Sequence, residues 1–398
     1  MKKMYRILLV LLVCLQITAC KKNDVDIAPG SFNRGDVIED VEKGSLTKQE
    51  IIDRVTELSA SSFAQYAVSY EAVTYRTQYM GKPIDSRGLL ILPKNAGKVY
   101  LIMYCHGTEL PSVRLNVDRI TPSLYDGGKN DFRDVRNMGL GWATAGYAVF
   151  IPDYIGFGLT LGKDHPYVYF PEMFVSNIDG LLAVKKVLQQ KGLAYDNRLF
   201  LAGWSQGAGA SLSAHKYIQE NYANEFTMVA SSNLAGPYNF NRFAESFLDK
   251  KNEEIDALPI FSWGLYSLNK FSTLHRPTDQ LYSYPVYDQF SSILVPSNKP
   301  AQVFSDYFLS KWANGSDAAL KKALVENSFH QGWNPVGKVF LHHGDADGLV
   351  PSYNTGDAYN GLTAAGGDVK KYIYPGGGHT SELGNFISNT LTDFNLLK

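Results

Sequence analysis

The chain has 398 residues and a formal net charge of −1, and 45% of its residues are hydrophobic. This length and apolar content can bury a large core and favour one domain of about 300 residues with an insertion. No run of lysine or arginine interleaves with aromatic residues, which argues against a nucleic-acid partner. With three cysteines, no disulfide framework is expected.

The N-terminus has the pattern of a secretory signal. Residues 1–6 are basic, and residues 7–15 are almost wholly apolar but too few to span a bilayer, which takes about 20 residues. The segment Ile17-Thr18-Ala19-Cys20 resembles the lipobox of bacterial lipoproteins. That resemblance implies removal of residues 1–19 and lipidation of Cys20. The alternative is a signal cut near Ala19, with Cys20 incidental.

The stretch after the signal is polar and predicts a flexible tether over residues 20–45. With a lipidated Cys20, the protein would be exported and held on a membrane by its acyl chains. Lys21 stands where an aspartate is often linked with inner-membrane retention, so the resemblance favours the outer membrane of a Gram-negative bacterium.

The first elements of the body follow from capping and alternation. Thr47-Lys48-Gln49-Glu50 is a capping box and predicts a short helix through Leu58. Alternating residues over 65–79 predict a strand, and residues 88–92 predict a second. Residues 99–105 are nearly all apolar, which is typical of a central strand covered on both faces.

Two of the predicted strands end in polar loops. The first, over residues 99–105, is followed by His106-Gly107-Thr108. The second, over 147–151, is followed by Asp153 and Tyr154, and we expect Asp153 to accept hydrogen bonds from loop N–H groups. Helical spacing over residues 171–190 then predicts a crossover that returns the chain to the sheet.

Residues 197–210 predict a strand, a sharp turn and a helix in direct succession. Leu199 to Ala202 is an apolar run, Ser205 lies on the turn, and small residues open the helix. The turn carries the pattern G-x-S-x-G, which strains the serine backbone and exposes its hydroxyl above the sheet. Gly203 and Gly207 let the strand and the helix approach each other closely.

Residues 236–333 are far more than a strand connection needs, and they predict a mostly helical cap. The segment is rich in aromatic residues. Most of these would pack the cap itself, and the remainder would line an acyl or sugar pocket. Three tyrosines are candidates for contacts with a sugar or a polar leaving group: Tyr282, Tyr284 and Tyr287.

An acid and a base follow the last two predicted strands. Residues 338–342 lead into a loop with Asp345 and Asp347, and residues 371–374 lead through a glycine run to His379. A serine hydroxyl is weakly nucleophilic until an imidazole accepts its proton, and a carboxylate must orient that imidazole. Parallel strands bring such groups to one edge of a sheet. The neighbouring His342 and His343 lack a third ligand at zinc-site spacing, so no metal or cofactor is expected.

Over residues 66–398 the chain resembles the secreted lipase and esterase branch of the α/β-hydrolases. The resemblance rests on the turn around Ser205, the acid loop, the glycine-rich approach to His379, and the segments 153–158 and 165–167. It implies an α/β fold, a mostly parallel sheet with helices on both faces, with a core of 46–235 and 334–398 and a helical cap of 236–333.

By position, the resemblance assigns Ser205 as nucleophile, His379 as base and Asp347 as acid, with Asp345 as a loop residue. It also implies an oxyanion hole built from the backbone N–H groups of Thr108 and Gln206. His106 would then brace its loop. Tyr154 and Trp204 are further candidates for contacts with the substrate.

The sequence therefore predicts a lipid-anchored serine esterase or lipase whose substrate is a small-molecule ester or an ester on a polysaccharide. One alternative is an exopeptidase with the same triad, because a tryptophan such as Trp204 before the serine also occurs in prolyl-peptidase relatives. A second alternative is a carbohydrate-binding surface lipoprotein with a decayed enzyme fold.

Overall fold

In the computed structural model, which describes residues 33–111, 121–129 and 132–398, nine strands form one mixed sheet. The strands are β1 Val37–Leu46, β2 Val68–Tyr79, β3 Lys82–Pro93, β4 Tyr100–Cys105, β5 Tyr147–Pro152, β6 Arg198–Trp204, β7 Thr227–Leu234, β8 Lys338–Gly344 and β9 Asp368–Tyr374.

The helices that pack on the sheet alternate with its later strands. They are α1 Lys48–Ile52, α2 Leu140–Thr144, α3 Phe170–Gln190 and α4 Gln206–Asn221, and, after the cap, α11 Tyr353–Ala364 and α12 Leu383–Asn395. A π-helical turn, Val135–Gly139, runs directly into α2.

The cap between β7 and β8 is mostly helical. Its helices are α5 Phe240–Leu248, α6 Leu258–Phe271, α7 Gln289–Ile293, α8 Pro300–Val303, α9 Asp306–Ala313 and α10 Ala318–Glu326. Its large buried side chains, such as Trp263, Phe304 and Phe308, share one apolar cluster with α3 and the sheet.

The strand order is β1-β2-β3-β5-β4-β6-β7-β8-β9. The pairs β1/β2, β2/β3 and β3/β5 are antiparallel, and the pairs from β5 through β9 are parallel. The predicted α/β class with a mostly parallel sheet is therefore confirmed. Parallel pairing places the ends of β4, β6, β8 and β9 at the same edge.

Both faces of the sheet are buried, which explains the continuous apolar runs of its central strands. In β4, Leu101 and Met103 face the cluster that contains α3. Ile102 and Tyr104 face the opposite cluster, which contains Trp142 of α2 and other aromatic and aliphatic residues of α1 and α12. These two layers hold the strand ends rigidly in place.

The predicted tether is wrong from Val37 onward, because residues 37–46 form β1. This strand pairs antiparallel with β2 and has two register irregularities. Its polar sequence suits an edge strand, since most of its side chains are exposed. The core thus begins before residue 46. Residues 1–32, which include the predicted signal and Cys20, lie outside the described residues.

The other early predictions are close to the observed elements. The capping box is present. The Thr47 side chain accepts from the Glu50 backbone N–H, and the Glu50 side chain accepts from the Thr47 backbone N–H. The helix ends at Ile52 rather than at Leu58. None of the helices in the part of the chain that the structure describes is long and apolar enough to cross a membrane.

Candidate active site

Ser205 lies between β6 and α4 in a strained backbone conformation, with φ 57° and ψ −124°. L-residues rarely adopt a positive φ, so this conformation is strained. The turn is tight because the two glycines that flank it pack against backbone atoms and leave no space for a side chain of their own. A Cβ on Gly203 would lie 2.1 Å from Gly207 O, and one on Gly207 would lie 1.9 Å from Cys105 O. The predicted close approach of strand and helix is therefore present.

The structure brings Ser205, His379 and Asp347 together. The Ser205 hydroxyl donates to His379 Nε2 over 2.9 Å, and His379 Nδ1–H donates to Asp347 Oδ2 over 2.7 Å. Each residue follows a different strand of the parallel part of the sheet, β6, β8 or β9. The contacts have the geometry in which an imidazole can accept the hydroxyl proton while a carboxylate orients it.

Four donors surround the Asp347 carboxylate. Oδ1 accepts from the backbone N–H groups of Leu349 and Val350, and Oδ2 lies near both His379 and His343. Burial alone would raise the pKa of Asp347, but hydrogen bonds from the two histidines and from Val350 outweigh it and hold the pKa well below its ordinary value. Asp347 thus stays ionised beside His379.

The sequence analysis missed the role of His343, which it considered only as a metal ligand. His343 is fully buried, and its Nε2–H points to Val350 O at 2.7 Å and Asp347 Oδ2 at 3.3 Å. Its Nδ1 accepts from the Thr355 hydroxyl at 2.8 Å. The adjacency of His343 to the acid loop was the only signal in the sequence.

Two further contacts hold the loops that carry the acid and the base. Asp345 Oδ1 accepts from the backbone N–H of Gly376, so it ties the acid loop to the glycine run. The Trp204 indole donates to the backbone oxygen of His379 over 3.0 Å. The Gly376 contact is compatible with a role for Asp345 in the loop, which stays a prediction.

The loop after β4 is held by a buried carboxylate that the sequence analysis did not identify. Asp134 Oδ2 accepts from the Gly107 N–H at 3.0 Å and from the Tyr104 hydroxyl at 3.1 Å. Burial raises the pKa of Asp134 above its ordinary value. Its hydrogen bonds position the residue directly before Thr108.

Thr108 and Gln206 both line the same cavity as Ser205 and His379. Gln206 is the first residue of α4, where the backbone N–H has no partner within the helix and the helix dipole is positive. This placement is suitable for an oxyanion site.

The cavity next to Ser205 has a volume of about 310 Å³ and is almost wholly apolar. Core residues surround the serine, and cap helices supply the rest of the wall. The cap residues that line it include Phe240, Phe243, Phe247, Phe261, Leu265, Leu268, Phe308, Leu320 and Leu324. Phe247 and Phe261 stack at 4.6 Å between ring centroids. Such a cavity can accept an apolar chain but offers few partners to a sugar.

The hydroxyls of three tyrosines predicted to contact the substrate donate to backbone oxygens instead. Tyr154 is buried, and its hydroxyl donates to His106 O at 3.0 Å. Tyr282 donates to Ser262 O and Tyr284 donates to Ser292 O, so both hydroxyls brace the cap. None of the three lines the cavity.

The fourth predicted tyrosine, Tyr287, is 80% exposed and also does not line the cavity. Trp204 does line the cavity, and its contact with the substrate stays a prediction. Asp153 accepts from the backbone N–H and the hydroxyl of Ser123, which agrees with its predicted bonding to loop groups, and burial raises its pKa to about 7.

In the described residues, no group of three or more His, Cys, Asp or Glu side chains could hold a metal ion.

Comparison with known proteins agrees with this fold. The model of the secretory lipase family matches residues 140–250. The structure is similar to a provisionally assigned hydrolase from Legionella pneumophila, with 19% identity, coverage of 91% of this chain and 98% of that chain, and a TM-score of 0.76. No curated protein matches the sequence at a significant level.

Two named enzymes share the fold. The rice cell wall degrading esterase LipA from Xanthomonas oryzae is 21% identical over 92% of this chain and 96% of its own, with a TM-score of 0.73. Candida antarctica lipase A in its closed state is 17% identical over 88% of this chain and 79% of its own, with a TM-score of 0.60. The fold is that of the α/β-hydrolases, and the lipase-model match over residues 140–250 supports an ester-hydrolysing enzyme.

Proposed function

We propose that the protein is a serine carboxylesterase of the lipase type that binds the acyl chain of its substrate in the apolar cavity. The observation that carries the proposal is the position of Ser205 and His379 in the wall of that cavity, with Asp347 behind the histidine. A nucleophile that opens onto an apolar chamber suits an ester with an apolar acyl group.

In the first half of the reaction, Ser205 Oγ attacks the ester carbonyl carbon while its proton moves to His379 Nε2. Asp347 stabilises the imidazolium that forms, and the backbone N–H groups of Thr108 and Gln206 stabilise the oxyanion of the tetrahedral intermediate. When the carbon–oxygen bond breaks, His379 returns the proton to the leaving alkoxide. The products of this half are an alcohol and the acyl-enzyme.

Water then reverses these roles. His379 removes a proton from water, the hydroxide attacks the acyl carbon, and the same N–H groups stabilise the second oxyanion. The bond to Ser205 breaks as His379 returns the proton to Oγ, which releases the carboxylic acid. No cofactor takes part in these steps.

The apolar wall supports a preference for medium or long acyl chains over acetyl groups. Each methylene that leaves water contributes about 0.8 kcal/mol of binding. With four more buried methylenes, an octanoyl ester should exceed a butyryl ester by about 200-fold in kcat/KM. The cavity offers less support for an acylated polysaccharide, since the candidate sugar-binding tyrosines lie elsewhere.

We further propose that the enzyme is exported and attached to the outer membrane through a lipidated Cys20. The support is the signal-like sequence of residues 1–19 and the lipobox-like segment before Cys20. The match of residues 140–250 to a secretory lipase model supports export. Several acyl chains would hold the protein stably on a membrane.

The test is a panel of p-nitrophenyl esters from acetyl to palmitoyl, run beside aminoacyl and dipeptidyl anilides. Wild type should hydrolyse the esters, best at octanoyl or longer, while Ser205→Ala should fold and lose about 10⁴-fold or more in kcat. A fluorophosphonate probe should label wild type and not the variant.

Two results would contradict the proposal. Hydrolysis of anilides with no ester turnover would identify a peptidase. If Ser205→Ala kept both labelling and turnover, Ser205 would not be the nucleophile.

A further inference from the structure

Two side chains of one loop contact the two residues proposed to form the oxyanion hole. The loop is His165-Pro166-Tyr167, called the 165–167 loop below. His165 lies next to the Gln206 side-chain amide, with its Nε2 2.5 Å from Gln206 Nε2. The Tyr167 hydroxyl lies 3.2 Å from Thr108 Oγ1. All four residues are buried or half-buried, so water competes little for these contacts.

A neutral His165 ring fits these two contacts with the following arrangement of hydrogens. His165 Nδ1 lies 2.8 Å from the Ile155 carbonyl, which can only accept, so Nδ1 carries the hydrogen. Nε2 of the neutral ring is then an acceptor, and the Gln206 amide nitrogen donates to it. The Ile155 carbonyl thereby sets the tautomer of His165 and the orientation of the Gln206 side chain.

The cap holds the 165–167 loop at two points. The Tyr167 ring stacks on Trp263 of α6, with 3.8 Å between centroids and 4° between planes. The His165 backbone N–H donates to Gln289 Oε1 of α7 over 3.0 Å. The loop is therefore clamped between the cap and the residues beside Ser205, and its side chains have little freedom to move.

We propose that His165 and Tyr167 are positioning residues that hold Gln206 and Thr108 with their backbone N–H groups directed at the oxyanion, a role that rests on the proposed esterase function. The N–H groups act on charge that develops only in the transition state, so a displacement of either one lowers kcat more than it changes substrate binding. A displacement of about 1 Å can cost as much as about 100-fold.

Two variants remove one contact each. Tyr167→Phe deletes the hydroxyl and keeps the ring on Trp263, and Gln206→Met keeps the length of the side chain but deletes the donor to His165. Each should lower kcat for an octanoyl ester by about 10-fold with KM within about twofold. The double variant should lose about the product of the two effects, because each contact holds a different N–H group.

Matched controls separate positioning from a general loss of packing. Tyr70→Phe deletes another tyrosine hydroxyl, which donates to Asp126 O, and Tyr70 is as buried as Tyr167 at 5% exposed. Gln219→Met makes the same change near the other end of α4, where the side chain donates to Asn334 O. Both controls should keep the wild-type kcat.

The deciding measurement compares two inhibitors with the same alkyl chain. A trifluoromethyl ketone forms a hemiketal with Ser205 and uses the oxyanion hole, whereas the matching methyl ketone occupies the cavity as a ground-state ligand. Tyr167→Phe and Gln206→Met should weaken binding of the trifluoromethyl ketone by about the same factor as kcat and leave the methyl ketone unchanged.

The proposal is overturned if both variants keep the wild-type kcat, or if both inhibitors lose affinity equally, which would indicate a structural role. Should Gln206→Met fail to fold, Tyr167→Phe decides alone. Failure of the esterase function would look different, since wild type would then hydrolyse no ester.

Discussion

Ser205 and His379 are 174 residues apart in the chain, yet Ser205 Oγ and His379 Nε2 are 2.9 Å apart. The two residues meet because β6 and β9 belong to the parallel part of one sheet and end at the same edge. The contact depends on three features: the strained turn at Ser205, the glycine run before His379, and the Trp204 indole that holds the His379 carbonyl.

The acid loop supports a ranking of its two aspartates. Asp347→Asn should lower kcat by about 10⁴-fold, because an amide can present its N–H to His379 and stabilise the wrong tautomer. Asp345→Asn should cost less than about 10-fold, since Asp345 contacts the Gly376 N–H. Steady-state kinetics on an octanoyl ester would measure both. The opposite ranking would show that Asp345 is the acid.

Filling the cavity should change the acyl preference and leave the chemistry intact. Ala244 of α5 lines the cavity, so Ala244→Phe should lower kcat/KM for an octanoyl ester at least 10-fold, because several methylenes lose their buried place at about 0.8 kcal/mol each. Acetyl ester turnover should stay within about threefold. Thermal melts would check for overpacking.

The matched control for the cavity is Ala319→Phe, which makes the same change on the exposed side of α10. It should leave the ratio of octanoyl to acetyl turnover unchanged. If Ala244→Phe also left that ratio unchanged, the acyl chain would not occupy the cavity.

Glu71 should make the stability of the protein depend on pH. Burial, and then the neighbouring Asp40, raise the pKa of Glu71 to about 7, above its ordinary value of about 4.3. The folded state therefore binds more protons than the unfolded state between these values. The free energy of unfolding should fall as pH rises through this window.

Glu71→Gln should flatten that slope between about pH 4 and about pH 7, because a neutral amide does not titrate. Denaturant unfolding at several pH values would measure it. Glu42→Gln, which changes an exposed carboxylate of β1, should keep the wild-type slope. An identical slope in wild type and Glu71→Gln would contradict the prediction.

The lipid anchor predicts a chemical modification at one residue. Cells grown with labelled palmitate should label wild type, and Cys20→Ser should abolish the label and release the protein from membranes. The esterase activity of the released protein should be unchanged, since Cys20 precedes the folded core. A mature N-terminus at any other residue would contradict lipidation of Cys20.

Local patterns determined much of what could be predicted here. The strands, the turn around Ser205 and the loops before Asp347 and His379 follow from apolar runs and glycines close in sequence, and strand-end logic predicted that these loops meet. The fold class and the class of enzyme were predicted correctly for this reason. Neither required knowledge of which side chains touch.

Only the tertiary structure decided which side chains face the cavity and which polar groups find partners. Strand β1 has too little apolar pattern to be recognised, because an edge strand is half exposed and gains its stability by pairing with β2. In the sequence, the tyrosines and the phenylalanines of the cap look alike as aromatic candidates for the cavity wall. In the structure, Tyr282 donates to Ser262 O, while Phe247 lines the cavity. His343 gains its role because it is buried beside Asp347, and Asp134 gains its role because it accepts from the Gly107 N–H. Hydrogen bonding and burial depend on which atoms lie close together, and residues far apart in the sequence come close only when the chain folds.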